Sequence, residues 1–360
     1  MTARTVDPIA RTTFHELVVA DIDLLCDDAA AITFDVPAAL SAVFAFSPGQ
    51  FVTLRRVVGG IEHRRSYSIC AARGAPLRVG VREIPGGLFS GWLVHQLSVG
   101  DRVEVQAPSG RFVADPDAGG RHLCIGAGSG ITPLLSVATS MLVDPRARVT
   151  LIYGNRATRS VMFTDELADT KSRYGARFDL VHVLSREPRD VELFSGRLDA
   201  DRLRRLLTAL VPLDAVDHVW LCGPFAMVAG ARVVLAELGV PEQRVHVELF
   251  HVDEPPPVVL RCEPVVDGAT SSVTLVLDGR STTSLMSRDQ TVLAAAQADR
   301  ADLPYACRGG VCGTCRARVT EGEVVMRRNY ALDPADVERG FVLTCQSLPV
   351  SEVVAIDFDS

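Results

Sequence analysis

Three regions of the chain differ in how apolar and polar residues alternate. Up to about residue 115, short runs such as HELVVADID, AAAITFDVP and LRVGVREI alternate with period two and are separated by turn-forming residues. This pattern is typical of strands that have one buried face. Six such runs and one helix near LFSGWLVHQL predict a closed antiparallel β-barrel over residues 1–115.

The next region has longer apolar runs that alternate with helical segments. Five runs, including RVTLIYGN and DHVWLCGP, alternate with four segments of helical spacing, including ADRLRRLLTAL. Buried strands separated by helices predict a doubly wound α/β domain with a parallel sheet. We assign it to residues 116–252, because the turn-rich stretch ADPDAGG at 114–120 marks a break in the chain.

The last region is smaller and mixes hairpins with a helix. In SSVTLVLDGRSTTSLM, Asp278–Gly279 separates two strand-like runs, which predicts a hairpin. A helix at TVLAAAQADR, a second hairpin-like segment CRARVTEGEVVM and a final strand EVVAIDFD follow. The prolines of HVDEPPPVVLRCEP predict a stiff linker at 253–262, so that the third domain is 263–360.

Composition narrows the class of protein. The 360 residues carry a net charge of −7 without a block of Lys or Arg, so a nucleic-acid partner is not expected. No apolar run approaches the roughly 20 residues that span a bilayer. The N-terminus MTARTVDPIARTTF lacks the apolar core of a signal peptide, and we expect a cytoplasmic protein without a membrane partner.

Four of the nine cysteines are grouped. Their spacing is C-x4-C-x2-C-x29-C, whereas structural zinc sites usually pair two short C-x2-C elements. One loop that supplies three ligands, with a distant fourth, is the plant-type [2Fe–2S] pattern. Glycines in the loop allow backbone N–H groups to reach the sulfurs. We expect a cluster, with zinc as the alternative, on Cys307, Cys312, Cys315 and Cys345.

Arginines lie near these cysteines. Arg308 and Arg316 can offset the negative charge of an iron–sulfur–thiolate cluster. Arg327, Arg328 and Tyr330 are further candidates for a partner contact, but we expect them to be solvated surface.

Several motifs in the first two regions suit a nucleotide. Arg65 and Tyr67 lie on one face of a predicted strand, although, taken alone, this pattern is better explained by an exposed Arg and a packed Tyr. Gly86–Gly87 precedes a helix, whose N-terminus favours phosphate. GAGSGITP at 126–133 is a glycine-rich strand-to-helix turn, in which we expect Thr132 to cap the helix. Cys222–Gly223–Pro224 ends a strand where ligands bind in open sheets, although a buried Cys is more often part of the core.

Together these motifs resemble the ferredoxin–NADP⁺ reductase family. RSYS resembles its R-x-Y-S/T motif, and CGPFAM its C-G-P-x-x-M motif, in the family order. Residues 272–360 resemble a plant-type ferredoxin, which implies a β-grasp fold. The resemblance implies that Ser68 and Cys222 act at the flavin and the nicotinamide. The FAD and NAD(P) contacts that we expect on this basis are Arg65, Tyr67, Ser68, Arg82, Gly86, Gly87, Ser90, Gly126, Gly128, Gly130, Thr132, Arg156, Ser185, Arg186, Cys222, Gly223, Pro224 and Met227.

The same resemblance bears on the coenzyme. A Ser–Arg pair at the end of the third strand of the nucleotide domain grips the 2′-phosphate in NADP-type members, and Ser185–Arg186 occupies that place. Arg156 could assist, since arginine forms strong charge-assisted bonds to phosphate. We expect NADPH, with NADH as the alternative.

A flavin accepts a hydride and passes on single electrons, so the expected order is NADPH, FAD, [2Fe–2S] and an external acceptor. No H-x-H or C-x-x-C-H motif suggests an oxygen-activating site in this chain. ACRGGVCGTC and VHVLSREP resemble the reductase subunits of phenylacetyl-CoA epoxidases, which implies a di-iron oxygenase partner. The alternatives are a reductase for a Rieske or alkane-hydroxylating oxygenase that uses NADH, an NAD(P)H oxidase without a fixed partner, and a flavin-binding module with a zinc tail.

Overall fold

The computed structural model describes residues 13–251 and 269–360. The chain divides into two compact units, one of His15–Phe250 and one of Met1–Phe14 with His251–Ser360. The linker predicted at 253–262 lies outside the described residues, and the predicted limits at 115, 252 and 263 stay predictions. Among the described helices, none combines the length and the apolar character that crossing a bilayer requires.

The first sheet is antiparallel and has six strands. They are β1 Phe14–Cys26, β2 Ala29–Asp35, β3 Phe51–Val58, β4 Ile61–Ser68, β5 Arg78–Arg82 and β6 Arg102–Gln106. Their order is β4-β3-β6-β1-β2-β5, and a bridge between Ile69 and Val79 joins the two edges. Helix α1, Leu88–His95, packs Phe89 and Leu93 into the apolar interior. The predicted antiparallel barrel is confirmed.

The second sheet is parallel and has five strands. The elements are β7 Arg121–Ala127, α2 Ile131–Met141, β8 Arg148–Asn155, α3 Thr164–Tyr174, β9 Phe178–Leu184, α4 Ala200–Leu210, β10 His218–Cys222, α5 Phe225–Glu237 and β11 Val245–Glu248. The strand order is β11-β10-β7-β8-β9, with an apolar core on each face. This confirms the predicted doubly wound fold, in which ligands bind at the carboxyl ends of the strands.

The prediction that Thr132 caps α2 is wrong. A short 3₁₀ turn over Gly128–Gly130 precedes the helix, so α2 begins at Ile131 and Gly130 is its N-cap. Thr132 is therefore inside the first turn, where its hydroxyl donates to the Ser129 carbonyl at 3.0 Å. Its methyl group packs against Gly80 of the barrel, where a Cβ would lie 2.4 Å away.

The third sheet is mixed, and it has the β-grasp arrangement. The elements are β12 Thr270–Leu277, β13 Arg280–Ser287, α6 Val292–Ala296, β14 Arg316–Glu321, β15 Val324–Met326, α7 Pro334–Glu338, β16 Phe341–Leu343, β17 Ser347–Pro349 and β18 Val353–Asp357. The order is β13-β12-β18-β14-β16, with β12 and β18 parallel. The predicted hairpin turn is present, with φ of +53° at Asp278 and +68° at Gly279.

The second predicted hairpin does not form. Both edges of β14 are already occupied, by β18 and by β16, so β14 cannot pair with β15. Strand β15 pairs instead with β17 in a separate two-stranded sheet, with Val325 opposite Leu348. The sequence between them is turn-like, but tertiary pairing decides the partner.

Candidate functional site

The four grouped cysteines form two pairs. Cys307 pairs with Cys312 through a thiol hydrogen bond, and Cys315 pairs with Cys345. The first pair is half-buried and the second is buried. Within the described ranges, no three His, Cys, Asp or Glu side chains are grouped to hold one metal ion. Two cysteine pairs instead match a two-iron cluster, in which each iron takes two cysteines.

The loop backbone is directed toward the sulfurs. Arg308, Gly310 and Gly313 have φ between +52° and +80°, which folds the loop tightly. The Gly309 N–H lies 3.3 Å from the Cys307 Sγ. The Cys312 thiol and the backbone N–H groups of Gly309, Val311 and Cys312 lower the pKa of Cys307, as the Cys315 thiol lowers that of Cys345. Such donors favour the thiolates that irons require, so the loop fits a [2Fe–2S] cluster.

The two arginines expected to offset cluster charge differ. Arg316 lies 3.4 Å above the Phe341 ring centre and 3.4 Å from the buried carboxylate of Asp336, so its charge is already paired. Arg308 is exposed, stacks over Tyr305 at 4.6 Å and donates to Gln297. Of these two arginines, Arg308 is therefore the one whose charge is exposed and not paired with a carboxylate of the described residues.

Strand β4 carries the expected FAD residues. The exposed guanidinium of Arg65 donates to the Arg64 carbonyl at 2.7 Å, and in the described part of the chain it forms no ion pair. The Tyr67 ring lies 6.1 Å from Phe89 of α1, and burial raises the pKa of its hydroxyl. Through this contact β4 reaches the helix that follows Gly86–Gly87. An unpaired cation beside an aromatic ring and a helix N-terminus fits a flavin nucleotide.

In the loop before α1, one glycine is open to a ligand, whereas the other glycine and a serine fix the shape of the loop. Gly86 has a φ of +73° and open space where a side chain would be, so a phosphate can approach its backbone. A Cβ on Gly87 would lie 2.7 Å from the Ser90 Oγ and 2.9 Å from the Ile84 carbonyl oxygen. Ser90 is buried and accepts a bond from the Ile84 N–H at 3.0 Å. Gly87 and Ser90 therefore shape the loop.

The glycine-rich turn after β7 packs against the end of β10. A Cβ on Gly130 would lie 2.2 Å from the Cys222 carbonyl oxygen, and one on Gly126 would lie 2.5 Å from Leu134. Met227 of α5 fills the space beside Gly223, while Pro224 is the N-cap of that helix. These positions need glycine for close packing, which brings the two motifs together.

Ser68 and Cys222 meet at a third residue, Glu248. The Ser68 hydroxyl donates to Glu248 Oε2 at 3.0 Å, and Cys222 pairs with Glu248 in the register of β10 and β11. Part of the Glu248 residue is exposed, but its carboxyl is enclosed, and this burial raises its pKa to about 8. Burial and the Glu248 charge keep the pKa of Cys222 high, so Cys222 is a neutral thiol.

Arg82 and Arg156 share one carboxylate. Asp28, in the turn between β1 and β2, accepts from Arg82 Nε at 3.1 Å and from Arg156 Nη2 at 2.9 Å. Burial alone would raise the pKa of Asp28, but a bond from Cys26 and the two arginine charges outweigh it and lower the pKa. Arg82 Nη1 lies 3.4 Å from the position that a Cβ atom on Gly128 would occupy. Asp28 thus holds two cations, of which Arg82 lies next to the glycine-rich turn.

The ends of β8 and β9 are joined through their backbones. The N–H of Ser185 donates to the Asn155 carbonyl at 2.9 Å, and that of Arg186 to the Arg156 carbonyl at 2.7 Å. Arg186 is exposed. Glu187 is turned to Thr158, whose hydroxyl donates to it at 2.7 Å. The expected coenzyme residues Arg156, Ser185 and Arg186 therefore adjoin one another.

The sequence reasoning missed Glu248 and Asp28. A signal existed for Glu248, because VHVELF places one acidic residue at the carboxyl end of an apolar strand. Asp28 gave no such signal, since an Asp in a turn is ordinary.

Known families match three consecutive parts of the chain. An oxidoreductase FAD-binding domain matches residues 16–113, an oxidoreductase NAD-binding domain matches residues 124–233, and a 2Fe-2S iron-sulfur cluster binding domain matches residues 275–350. The third match contains all four grouped cysteines.

Relatives match nearly the whole chain. The sequence is 40% identical over 354 residues to a component of the 1,2-phenylacetyl-CoA epoxidase of Escherichia coli (strain K12), covering 97% of this chain and 99% of that one. It is 34% identical to the ferredoxin reductase component of 3-ketosteroid-9-alpha-monooxygenase from Mycobacterium tuberculosis (strain CDC 1551 / Oshkosh), with 96% of each chain covered. The solved structure of phthalate dioxygenase reductase has the same fold, with a TM-score of 0.61 at 22% identity over 96% of this chain and 98% of that one.

The three domains occur in one order in a chain whose relatives are reductase components of oxygenases. The chain therefore belongs to the family of NAD(P)H-dependent reductase components that carry FAD and a [2Fe–2S] cluster and serve multicomponent oxygenases.

Proposed function

We propose that this reductase takes electrons from NADPH and delivers them to the di-iron oxygenase of a phenylacetyl-CoA epoxidase. The observation that carries the proposal is the 40% identity with the Escherichia coli epoxidase component over almost the full length of both chains. The eight described cysteines are all free, which suits the reducing cytoplasm, where NADPH is also available.

Bound FAD supplies the conversion of a hydride into single electrons, and a bound [2Fe–2S] cluster carries one electron at a time. We assign the FAD pyrophosphate to Arg65 and the backbone of Gly86, with Tyr67 as the stacking surface. Ser90 and Gly87 hold that loop in shape. Cys307, Cys312, Cys315 and Cys345 would bind the two irons as two pairs.

Ser68, Cys222 and Glu248 would act where hydride transfer occurs. The Cys222 thiol is neutral and fully buried, so it would line the nicotinamide site from behind without adding charge. A hydride brings two electrons and one proton, and both electrons leave singly, so one proton per NADPH must leave the site. Glu248 Oε2, bonded to Ser68 and with a pKa of about 8, is suited to take up and release that proton near neutral pH.

The choice of NADPH is supported by the arginines at the strand ends. Arg186 is exposed beside Arg156, and Glu187, the nearest carboxylate in sequence, is turned to Thr158. The Arg186 guanidinium would then face a 2′-phosphate, and Arg156, which is bonded to Asp28, would be its neighbour. Asp28 holds Arg156 and also Arg82, which lies beside the glycine-rich turn where the pyrophosphate would approach. Gly126, Gly130, Gly223, Pro224, Met227 and Thr132 would position this turn through packing.

A coupled assay tests the proposed partner. Purified reductase, the epoxidase oxygenase component and phenylacetyl-CoA are mixed, and epoxide is measured per NADPH consumed. We expect close to one product per NADPH, and the same oxygenase without the reductase gives none. Reductase that reduces ferricyanide at full rate but yields no epoxide would exclude this partner and favour another oxygenase, such as the ketosteroid monooxygenase served by the 34% identical relative.

A further inference from the structure

The segments around the cysteine loop are basic although the chain is acidic. Over the whole sequence, 44 Asp and Glu outnumber 37 Lys and Arg. Residues 303–320 and 324–332 nevertheless contain no Asp or Glu. The arginines in these two segments are Arg308, Arg316, Arg318, Arg327 and Arg328.

The second segment lies directly against the loop. The Tyr330 N–H donates to the Gly310 carbonyl at 3.1 Å, and the Arg327 N–H donates to the Gln346 carbonyl at 2.9 Å. A Cβ on Gly310 would lie 3.6 Å from the Cβ of Arg328. These contacts place residues 327–330 against the middle of the cysteine loop, at Gly310, and against Gln346, which follows Cys345.

The arginines of the two segments are not equivalent. Arg316 is paired with Asp336, and Arg318 donates to the Arg339 carbonyl. In contrast, neither Arg308 nor Arg327 forms an ion pair with any carboxylate of the described chain. No carboxylate of residues 13–251 or 269–360 therefore neutralises these two positive charges.

Arg327 also differs from a solvated arginine. The residue is half-buried, and among the described atoms its Nε is buried without a hydrogen-bond partner. A desolvated N–H without an acceptor is costly, so the Arg327 side chain is not an ordinary solvated arginine. Tyr330, three residues on, is 39% exposed, and Tyr and Arg are enriched in protein interfaces.

We propose that Arg308, Arg327 and Tyr330 form the docking surface for the electron acceptor, and that the acceptor presents a carboxylate-rich surface around the site that receives the electron. We name these three residues the cluster face. Opposite charges on the two surfaces would steer the acceptor to the half-exposed cysteine pair and raise the association rate, most strongly at low ionic strength. The proposal rests on membership of the oxygenase reductase family and not on which oxygenase is served.

Two haem proteins of opposite surface charge test the proposal. Cytochrome b5 surrounds its haem edge with carboxylates, and cytochrome c surrounds it with lysines. We expect the holoenzyme to reduce cytochrome b5 faster at low salt, with a rate that falls as salt increases. Arg327→Gln should lower this rate about three- to tenfold at low salt and leave cytochrome c reduction unchanged or faster. Arg280→Gln, an exposed arginine of the same unit outside the cluster face, is the matched control.

Stopped-flow reduction by NADPH identifies which step changes. The absorbance and electron paramagnetic resonance spectra establish that the Arg327→Gln cluster is intact. The proposal is overturned if both variants behave alike, if salt has no effect on cytochrome b5 reduction, or if Arg327→Gln slows electron transfer from flavin to cluster. The last result would assign the cluster face to the chain's own flavin unit. Because haem proteins replace the oxygenase, failure of the epoxidase assignment would not affect the outcome.

Discussion

The Ser68 hydroxyl donates a hydrogen bond to Glu248, which lies 180 residues later in the chain, at 3.0 Å. Glu248→Gln keeps the shape of the side chain but cannot exchange a proton. We expect NADPH oxidation with ferricyanide to fall at least about tenfold, because the group that takes up the proton is lost. The pKa of about 8 also predicts a wild-type rate that rises as pH increases through 8, when the carboxylate form accumulates.

Rate–pH profiles of wild type and Glu248→Gln test this prediction, with Glu242→Gln, an exposed carboxylate paired with Arg232, as the control. If the rate of Glu248→Gln still rises with pH near 8, a group other than Glu248 is responsible for that pH dependence.

Asp28 offers a prediction that runs against simple electrostatics. Removing a negative charge near a phosphate site should improve binding, yet Asp28 orients both Arg82 and Arg156. We expect Asp28→Asn to raise the KM for NADPH about three- to tenfold while the protein still binds FAD. Asp27→Asn, the preceding residue of the same turn, is the control. A lower KM in Asp28→Asn would mean that the carboxylate only repels the coenzyme.

Arg186 tests the choice between the two coenzymes. Arg186→Ala should raise the KM for NADPH about tenfold and change that for NADH little, because only NADPH has the 2′-phosphate. Steady-state kinetics with both coenzymes measure this, and Arg189→Ala, an exposed arginine of the same loop, is the control. Equal effects on NADPH and NADH would argue against a 2′-phosphate contact.

Cys312 separates the two electron carriers. Cys312→Ser should abolish the spectroscopic signals of the cluster and the reduction of cytochromes. The FAD content and the rate of ferricyanide reduction should stay within about twofold of wild type, because the flavin and cluster residues lie in different compact units. Absorbance spectra and both assays check this. Cys26→Ser, at a half-buried cysteine that donates to Asp28, should retain the cluster. Simultaneous loss of ferricyanide activity would show that the two units depend on each other.

The strands and helices were predicted well from sequence because local periodicity decides them. RVTLIYGN and ADRLRRLLTAL became β8 and α4 with the expected limits, Arg148–Asn155 and Ala200–Leu210. The pairing of β15 with β17 was not predictable, because it depends on the occupied edges of β14. The start of α2 was misplaced because the 3₁₀ turn before it leaves no sequence signal.

The cofactor motifs were visible in the sequence, but their connections were not. Spacing alone grouped Cys307, Cys312 and Cys315 and suggested the distant Cys345. The periodicity of the sequence does not reveal that Ser68 donates a hydrogen bond to Glu248, or that Arg82 and Arg156 both donate to Asp28. Such long-range contacts depend on how the barrel meets the parallel sheet, and that arrangement is not encoded in any single motif.

The packing between the barrel and the parallel sheet limits how the protein can be recombined. Thr132 lies against Gly80, Glu248 bonds Ser68, and Asp28 holds Arg156, so the site is shared by both sheets. Exchanging the parallel-sheet domain alone for that of a relative would break all three contacts. Residues 15–250 should therefore be exchanged as one piece, whereas the unit with the four cysteines could be replaced separately to redirect electrons to a different oxygenase.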